Sequence, residues 1–255
     1  MLKVEHLTKR FGGNVAVNDV STVVERGKIN AIIGPNGAGK TTFFNLISGV
    51  HKPSAGTLTY EGADITDLRP DEVAVLGIAR TFQATTLFDV ATVLDNLIVG
   101  HRLRTRSGIL DVILGSQRLK TEERVCREKA RAALDFVGLS HIENRLAGDI
   151  TQEQRKRVAF ALALATEPRL LLLDEPAGGV NPEETWGLAD LIRKMVGTGL
   201  TVCLIEHKMD MIMSLADKIL VLNFGEKIAE GTPDEIRANP AVIDAYLGAE
   251  HADID

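Results

Sequence analysis

The stretch Ile29–Thr42, INAIIGPNGAGKTT, decides the fold. It begins with an apolar run over Ile29–Ile33, continues through a glycine-rich loop, and leads into helix-like apolar spacing over Thr41–Val50. Residues 34–41 match the pattern G-x-x-x-x-G-K-[ST] at every position. The sequence therefore predicts a strand, a phosphate-binding loop and a helix in succession. The alternative, a glycine-rich turn that precedes a helix by chance, would make the full match accidental.

Such a loop gives each of its residues a role. Glycines let backbone N–H groups curl around a β-phosphate at the helix N-terminus, where the helix dipole also favours an anion. Lys40 is expected to reach the β- and γ-phosphates, Thr41 to hold Mg²⁺ through its hydroxyl, and Thr42 to contact the α-phosphate. The predicted nucleotide-binding residues of the loop are Gly34, Pro35, Asn36, Gly37, Ala38, Gly39, Lys40, Thr41 and Thr42.

A second motif, LLLLDE at Leu170–Glu175, has the pattern of a buried strand that ends in two acids. Both carboxyl groups are then placed at the C-terminal edge of a sheet, where α/β proteins bind ligands. Because side chains alternate along a strand, the two acids should have different roles. We predict that Asp174 holds the metal through water and that Glu175 polarises the water that attacks the γ-phosphoryl group. Without the phosphate loop, a solvated acidic turn would remain an alternative.

Apolar runs at Leu2–Leu7 and Val20–Val24 predict strands near the N-terminus. From the strand predicted at Leu170–Asp174 onward, short apolar runs alternate with helical patterns, which is typical of buried parallel strands. Residues from about 85 to 164 are instead rich in Arg, Glu, Leu and Ala, and they predict a helical subdomain. We expect four segments: 1–84, an N-terminal β-subdomain with the first part of the core; 85–164, the helical subdomain; 165–236, the second part of the core; and 237–255, a C-terminal helix and acidic tail. Thr232 followed by Pro233 predicts the start of a helix that runs through Arg237.

Bulk properties exclude several classes of protein. No apolar run approaches the ~20 residues needed to cross a bilayer, and the N-terminus lacks the basic-then-apolar pattern of a secretory signal. Cys126 and Cys203 show neither metal-ligand spacing nor a disulfide framework, which suits a reducing compartment. The net charge of -6 argues against a broad nucleic-acid surface. We therefore expect a cytosolic protein that is soluble when isolated and binds no nucleic acid.

The order of these motifs resembles the ATP-binding-cassette family, from about Leu2 to Leu247. Gln83, in RTFQ, resembles the glutamine that senses Mg²⁺ and the γ-phosphate, and His207, in LIEH, resembles the switch histidine that contacts the γ-phosphate. Phe11, in KRFG, resembles the aromatic residue that stacks on adenine, although packing in the core is its alternative. The resemblance implies an α/β fold: a P-loop NTPase (RecA-like) core with an N-terminal antiparallel β-subdomain and an inserted α-helical subdomain.

The resemblance also completes the predicted site. It implies that ATP and Mg²⁺ are bound, with Thr41, Gln83 and Asp174 at the metal. The predicted catalytic residues are Lys40, Gln83, Glu175 and His207.

Within that family, three stretches resemble the ATPases of branched-chain or hydrophobic amino-acid uptake systems. They are EPAGGVNP at 175–182, LIEHKM at 204–209, and EGTP at 230–233 together with AYLG at 245–248. Related systems for urea or short amides share these features. The resemblance implies an ATP-hydrolysing subunit of an importer, peripheral to the cytoplasmic face of the membrane. Its implied partners are transmembrane permease subunits, a second ATPase subunit in a nucleotide-sandwich dimer and, indirectly, an external solute-binding protein.

One segment departs from the family pattern. ITQEQ at Ile150–Gln154 aligns with L-S-G-G-Q, which caps the γ-phosphate bound by the opposite subunit. Thr151 keeps the hydroxyl and Gln154 the amide, so both are carried over as nucleotide contacts, but the glycines are lost and Glu153 adds an acid. A carboxylate about 5 Å from a phosphate charge would cost roughly 3 kcal/mol at an effective dielectric of about 20. Each nucleotide site of the dimer is composite, because it takes its phosphate loop from one subunit and this segment from the other. The altered segment therefore predicts a heterodimer with one impaired composite site, unless the Glu153 side chain points away from the phosphate.

Two other functions stay open at this point. The segment ITQEQ, which we call the altered signature, is compatible with a nucleotide-binding regulatory subunit that hydrolyses ATP weakly. A soluble cassette ATPase outside transport should show tandem cassettes, coiled-coil insertions, zinc-ligand cysteines or a basic surface, and the sequence has none of these.

Overall fold

The computed structural model describes residues 1–81, 87–102 and 117–252. The chain divides into two compact units. One consists of Met1–Gln83 with Arg169–Asp255, and we call it the core unit; the other is Ala84–Pro168, which we call the helical unit.

The strands of the described residues all lie in the core unit. In chain order they are β1 (Leu2–Phe11), β2 (Asn14–Val24), β3 (Ile29–Ile33), β4 (Ala55–Tyr60), β5 (Ala63–Asp64), β6 (Ile78–Thr81), β7 (Leu170–Asp174), β8 (Thr201–Ile205), β9 (Lys218–Asn223) and β10 (Glu226–Gly231). The helices are α1 (Lys40–Ile47), α2 (Pro70–Val75), α3 (Val93–Arg102), α4 (Gln117–Phe136), α5 (Gln152–Leu164), α6 (Pro182–Gly197), α7 (Met209–Leu215), α8 (Pro233–Arg237) and α9 (Pro240–Ala252).

A six-stranded sheet forms the centre of the core unit, in the order β10-β9-β3-β8-β7-β6. Strands β9, β3, β8, β7 and β6 are parallel, and β10 is antiparallel to β9. Every residue of β3, β7 and β8 is buried, as expected of parallel strands covered on both faces. The predicted α/β class is confirmed, and the strands predicted at Ile29–Ile33 and Leu170–Asp174 have those bounds.

The register of this sheet brings three chain segments to one edge. Ile32 of β3 and Asp174 of β7 both pair with Ile205 of β8, so these parallel strands end at nearly the same level. The phosphate loop follows β3, Glu175 follows β7 and His207 follows β8. Residues far apart in sequence therefore meet at the C-terminal edge of the sheet, where α/β proteins hold ligands.

A second sheet is antiparallel, in the order β2-β1-β4-β5, and matches the predicted N-terminal β-subdomain. Strands β1 and β2 are longer than the predicted Leu2–Leu7 and Val20–Val24, because pairing continues to the hairpin at Phe11 and Asn14. The polar residues near that turn lack the apolar alternation that indicates a strand. Residues of both sheets and of α1 pack in one hydrophobic core, which includes Leu2, Leu7, Phe43, Phe44, Leu58 and Tyr60.

The helical unit contains α3, α4 and α5, which contact one another. Its buried residues include Val93, Leu97, Cys126, Ala130, Leu134, Val158 and Phe160. None of the described helices is both long and apolar enough to cross a membrane. Cys126 and Cys203 are both buried free thiols, and burial raises the pKa of Cys203 to about 12, so this thiol is unreactive at neutral pH.

Candidate functional site

The loop between β3 and α1 has the backbone that the glycine pattern requires. Gly34 has φ 150° and Gly39 has φ 96°. A Cβ atom on Gly34 would lie 2.0 Å from the carbonyl oxygen of Leu222, and one on Gly39 would lie 2.3 Å from that of Ala16. Any other residue at either position would force the neighbouring backbone apart. These two glycines allow the loop to fold tightly against β9 and β2.

Lys40, the first residue of α1, is buried and bent back over its own loop. Its Nζ donates to the carbonyl oxygens of Gly34 at 2.7 Å and Pro35 at 2.8 Å. Burial lowers the pKa of Lys40 from its usual value, and the carboxylates of Glu175 and Asp174 oppose that shift. An ammonium group that is largely buried and whose hydrogen bonds to the described residues go to neutral carbonyl oxygens is well placed to bind an anion.

A cleft of about 390 Å³ opens beside this loop. Its volume is within the range of small-molecule sites. The lining residues are Asn14, Val15, Ala16, Asn36, Gly37, Ala38, Gly39, Lys40, Thr41, Thr42, Glu175, His207 and Phe224. The structure thus brings together seven of the nine predicted loop residues with the predicted catalytic acid and switch histidine. Gly34 and Pro35 lie behind the cleft and hold Lys40.

Glu175 lies just past the end of β7 in the left-handed backbone region, with φ 49°. The prediction that Asp174 and Glu175 diverge because strand residues alternate is therefore incorrect in its reasoning, since Glu175 belongs to a turn. Its amide donates to Ile205 at 2.9 Å, and its Oε1 lies 2.9 Å from Nε2 of His207. Strained backbone of this kind concentrates at functional sites, and here it turns the carboxylate toward the histidine.

Asp174 forms a buried ion pair that sequence reasoning did not find. Its Oδ2 accepts from Nη2 of Arg80 at 2.8 Å, and the two side chains are 5% and 8% exposed. Nη1 of the same guanidinium donates to Asn45 at 2.6 Å and to Ser48 at 3.2 Å. Arg80 therefore ties the acid at the end of β7 to helix α1, which carries the phosphate loop. The only sequence signal is a charged residue within the short strand β6, IART.

Two neighbours of His207 were also missed, and both anchor its loop. Glu206 is 3% exposed, and its carboxylate accepts from the amides of Ala177 and His207, each at 2.7 Å, and from that of Lys208 at 3.2 Å. Nζ of Lys208 donates to the carbonyl of Val180 at 2.9 Å and to the hydroxyl of Thr185 at 2.6 Å. The histidine is thus fixed relative to the loop that follows Glu175.

Of the residues predicted from the resemblance, Phe11 does not line this cleft and Gln83 is not described by the structure. Phe11 is 44% exposed at the end of β1; its ring contacts His51 edge-on, with centroids 5.2 Å apart, and Lys9 Nζ lies 5.0 Å from its centroid. Phe11 is not among the described residues that line the cleft. Gln83 lies outside the described residues.

The signature segment ITQEQ begins α5 in the helical unit. Thr151 is the N-cap: its hydroxyl accepts from the amide of Gln154 at 3.2 Å, and the Gln154 side chain accepts from the amide of Thr151 at 3.0 Å. This is a capping box, so each of the two side chains carried over as nucleotide contacts accepts a hydrogen bond from the backbone amide of the other residue. Glu153 forms an ion pair with Arg157, one turn further along. Part of the charge that would repel a phosphate is therefore already neutralised.

The residues beside the phosphate loop fit Mg²⁺ of the kind that accompanies nucleotides. Mg²⁺ keeps several waters and uses one or two protein groups together with substrate phosphates. Thr41 lines the cleft, and Asp174 ends β7 at the same edge of the sheet. Among the described residues there is no group of three or more His, Cys, Asp or Glu side chains that could hold a metal. The donor set therefore suits a metal shared with a phosphate and does not form an all-protein cage.

The phosphate loop lies between a buried strand and a helix, and an acid and a histidine follow two further strands at the same edge of the sheet. This arrangement defines a P-loop nucleoside triphosphatase. The family description "ABC transporter" matches residues 17–178, and "Branched-chain amino acid ATP-binding cassette transporter" matches residues 226–252. The chain belongs to the ABC transporter family, as an ATP-binding cassette with ATPase activity.

Known proteins of similar sequence and structure align with nearly the whole chain. The chain is 42% identical to the high-affinity branched-chain amino acid transport ATP-binding protein BraF of Pseudomonas aeruginosa, over 97% of this chain and 98% of that protein. It is 39% identical to LivG of Escherichia coli, described in the same words, with the same shares covered. A crystal structure of the ADP conformation of an ATP-binding cassette of an ABC transporter aligns with TM-score 0.86 and 34% identity, over 97% of this chain and 98% of that one.

Proposed function

We propose that this chain is the ATP-hydrolysing subunit of an importer for branched-chain or other hydrophobic amino acids. The observation that supports hydrolysis is the cleft that gathers Lys40, Glu175 and His207. Support for the cargo is the match of residues 226–252 to the C-terminal segment of branched-chain amino acid cassettes, together with the names of the relatives. Urea and short amides remain the alternative cargo.

The geometry suggests how the residues act on ATP. Lys40 would exchange the carbonyl oxygens of Gly34 and Pro35 for the β- and γ-phosphates, because a charged acceptor forms the stronger hydrogen bond. The first amides of α1 have no acceptor within the helix and would contact the phosphates of the bound nucleotide. Glu175 would orient a water and accept its proton, and His207, whose Nε2 lies 2.9 Å from Oε1 of Glu175, would contact the γ-phosphate.

We assign Thr41 and Asp174 as the protein groups that hold Mg²⁺, with Gln83 as the third residue expected there. When bound, the ion would offset negative charge on the phosphates. Arg80 would keep the Asp174 carboxylate fixed at the end of β7.

The partners proposed are transmembrane permease subunits, a second ATPase subunit and, indirectly, an external solute-binding protein, with the chain at the cytoplasmic face. Two chains would enclose ATP between the phosphate loop of one and the signature of the other. The signature of this chain has Gln152 and Glu153 in place of the glycines that allow close backbone approach to a phosphate. We therefore propose a heterodimer, in which the partner completes the site that contains Lys40 and Glu175.

Restoring the glycines tests this proposal without needing the partner. The double substitution Gln152→Gly with Glu153→Gly should raise ATP hydrolysis by the purified chain alone, by about 10-fold or more, since a backbone donor aimed at developing charge contributes about 100-fold or more. Phosphate release at high protein concentration measures the effect.

A matched variant separates charge from backbone access. Glu153→Gln removes only the acid, whose charge Arg157 already offsets in part, and should give a smaller increase. If the chain alone already hydrolyses ATP rapidly, or the double variant is no faster than wild type, the altered signature does not impair the site and the case for a heterodimer fails.

Nucleotide binding itself is tested at Lys40. Lys40→Ala should weaken the affinity for Mg-ATP by roughly 10- to 100-fold, because hydrogen bonds to a charged group contribute about 1.5–3 kcal/mol. Isothermal titration calorimetry measures the dissociation constant. Lys52→Ala is the control, since Lys52 is exposed, pairs with Asp67 and does not line the cleft. Equal affinity in wild type and Lys40→Ala would contradict the assignment of the site.

A further inference from the structure

The two-residue turn between β9 and β10 presents an exposed aromatic ring in the cleft. Phe224 is 86% exposed, and it is the only phenyl ring among the described residues that line the cleft. Val15 and Ala16 of β2 line the same cleft. An exposed phenylalanine has no stabilising role of its own in the folded chain, because its apolar surface remains in water.

The backbone conformation of the turn is also unfavourable for a phenylalanine. Phe224 has φ 45° and Gly225 has φ 82°, as a type I′ hairpin turn requires at both central positions. Asn-Gly and Asp-Gly are the usual pairs, since asparagine and aspartate tolerate the left-handed region and a bulky residue does not. Of the six non-glycine residues with positive φ among those described, Phe224 has the only phenyl ring, and Glu175 is another of the six.

The turn is fixed to the phosphate loop and to β2. The amide of Gly225 donates to the carbonyl of Ala38 at 3.1 Å, and its carbonyl accepts from the amide of Asn18 at 2.8 Å. The Asn18 side chain also donates to Glu226 at 2.8 Å. Phe224 is thus held at a set position relative to the residues that would bind the phosphates.

We propose that Phe224 forms one wall of the site for the nucleotide's purine base, with Val15 and Ala16 contributing the other apolar contacts. The inference rests on the proposed nucleotide binding and adds the residue that holds the base. A flat base that covers the phenyl ring removes apolar surface of both from water and adds stacking. Phe11, whose ring contacts His51, does not line this part of the site.

Phe224→Asn gives a test in which stability and binding change in opposite directions. Asn-Gly suits a type I′ turn, so relief of backbone strain should raise Tm by a few degrees. Loss of the ring should weaken ATP affinity by roughly 5- to 100-fold, the range for removing one base–aromatic stack. Affinity for inorganic tripolyphosphate, which has no base, should not change. Calorimetric titration of the full chain with each ligand measures both affinities, and differential scanning calorimetry measures Tm.

Three further variants sharpen the result. Phe224→Tyr keeps the ring and should rescue most of the ATP affinity that Phe224→Asn loses. Phe88→Ala removes another exposed phenyl ring, one in the helical unit, and should change neither affinity. Phe11→Ala in the same assay should cost less ATP affinity than Phe224→Asn.

The outcomes distinguish this inference from the function on which it rests. If wild type binds neither ATP nor tripolyphosphate, the proposed function itself fails. If wild type binds ATP and Phe224→Asn binds it equally well, only the role of Phe224 is overturned. Equal losses for ATP and tripolyphosphate, or a loss of dimerisation with ATP affinity intact, would also overturn it, because the ring would then act on the loop or on a partner chain.

Discussion

Replacing Glu175 by Gln should reduce steady-state ATP hydrolysis by about 100-fold or more, while Mg-ATP still binds. A positioned general base contributes about 10²- to 10⁴-fold to a rate, and glutamine has nearly the same shape as glutamate but cannot accept the proton of the attacking water. The amide oxygen can still accept a hydrogen bond from Nε2 of His207, which lies 2.9 Å from Oε1 in the wild type. Phosphate release at saturating ATP measures turnover, and titration with Mg-ATP measures binding.

Glu61→Gln provides a matched control for this experiment. Glu61 is also a glutamate with positive φ, 52°, and it pairs with Arg26 in the turn between β4 and β5, away from the cleft lining. Its substitution should leave ATP hydrolysis near the wild-type rate. The comparison is repeated in the Gln152→Gly with Glu153→Gly background, where the signature no longer limits turnover. If Glu175→Gln has no effect on the rate there either, the chain is a weakly hydrolysing regulatory subunit and Glu175 is not its catalytic base.

The phosphate loop could be predicted from sequence because its geometry depends on local sterics. Gly34 and Gly39 adopt φ values that other residues rarely reach, and each lies against a backbone carbonyl that leaves no room for a Cβ atom. Helix starts were predictable for the same local reason. Thr232 caps α8 through the amide of Glu235, as the Thr-Pro pattern indicated. Such signals involve residues within about four positions of each other.

The same local reasoning explains what the altered signature retains. Thr151 and Gln154 are the two positions that a capping box needs, and they are the ones kept from L-S-G-G-Q. The two glycines between them have no part in the cap. The start of α5 is therefore preserved while the backbone that would approach a phosphate is altered, so the helix gives no information about whether this half of the composite site is active.

Long-range pairings could not be predicted, because they depend on strand register. Arg80 meets Asp174, 94 residues later, only because β6 and β7 are parallel neighbours that pair Thr81 with Leu173. Glu206 reaches the amide of Ala177 because the ends of β7 and β8 coincide. Phe224 was missed for a different reason: a turn usually contains residues that tolerate positive φ, so a phenylalanine gave no indication of a turn at all.

Substitution of Arg80 by Met should destabilise the fold by about 3–5 kcal/mol. The change removes one partner of a buried ion pair, so the Asp174 carboxylate is left in a site of low dielectric without its counter-charge. The hydrogen bonds to Asn45 and Ser48 are lost as well. Urea unfolding, followed by circular dichroism, gives the free energy of unfolding for wild type and variant.

The double variant Arg80→Met with Asp174→Asn determines whether the loss comes from the unpaired charge. Removing both charges should recover more than half of the stability lost in the single variant, because replacing a buried pair on both sides is often nearly neutral. Arg124→Met is the exposed control: Arg124 pairs with Glu128 on the surface of α4, and its loss should cost no more than about 1 kcal/mol. If the double variant is no more stable than Arg80→Met, the guanidinium stabilises the fold by packing and by its bonds to α1, and the ion pair with Asp174 contributes little.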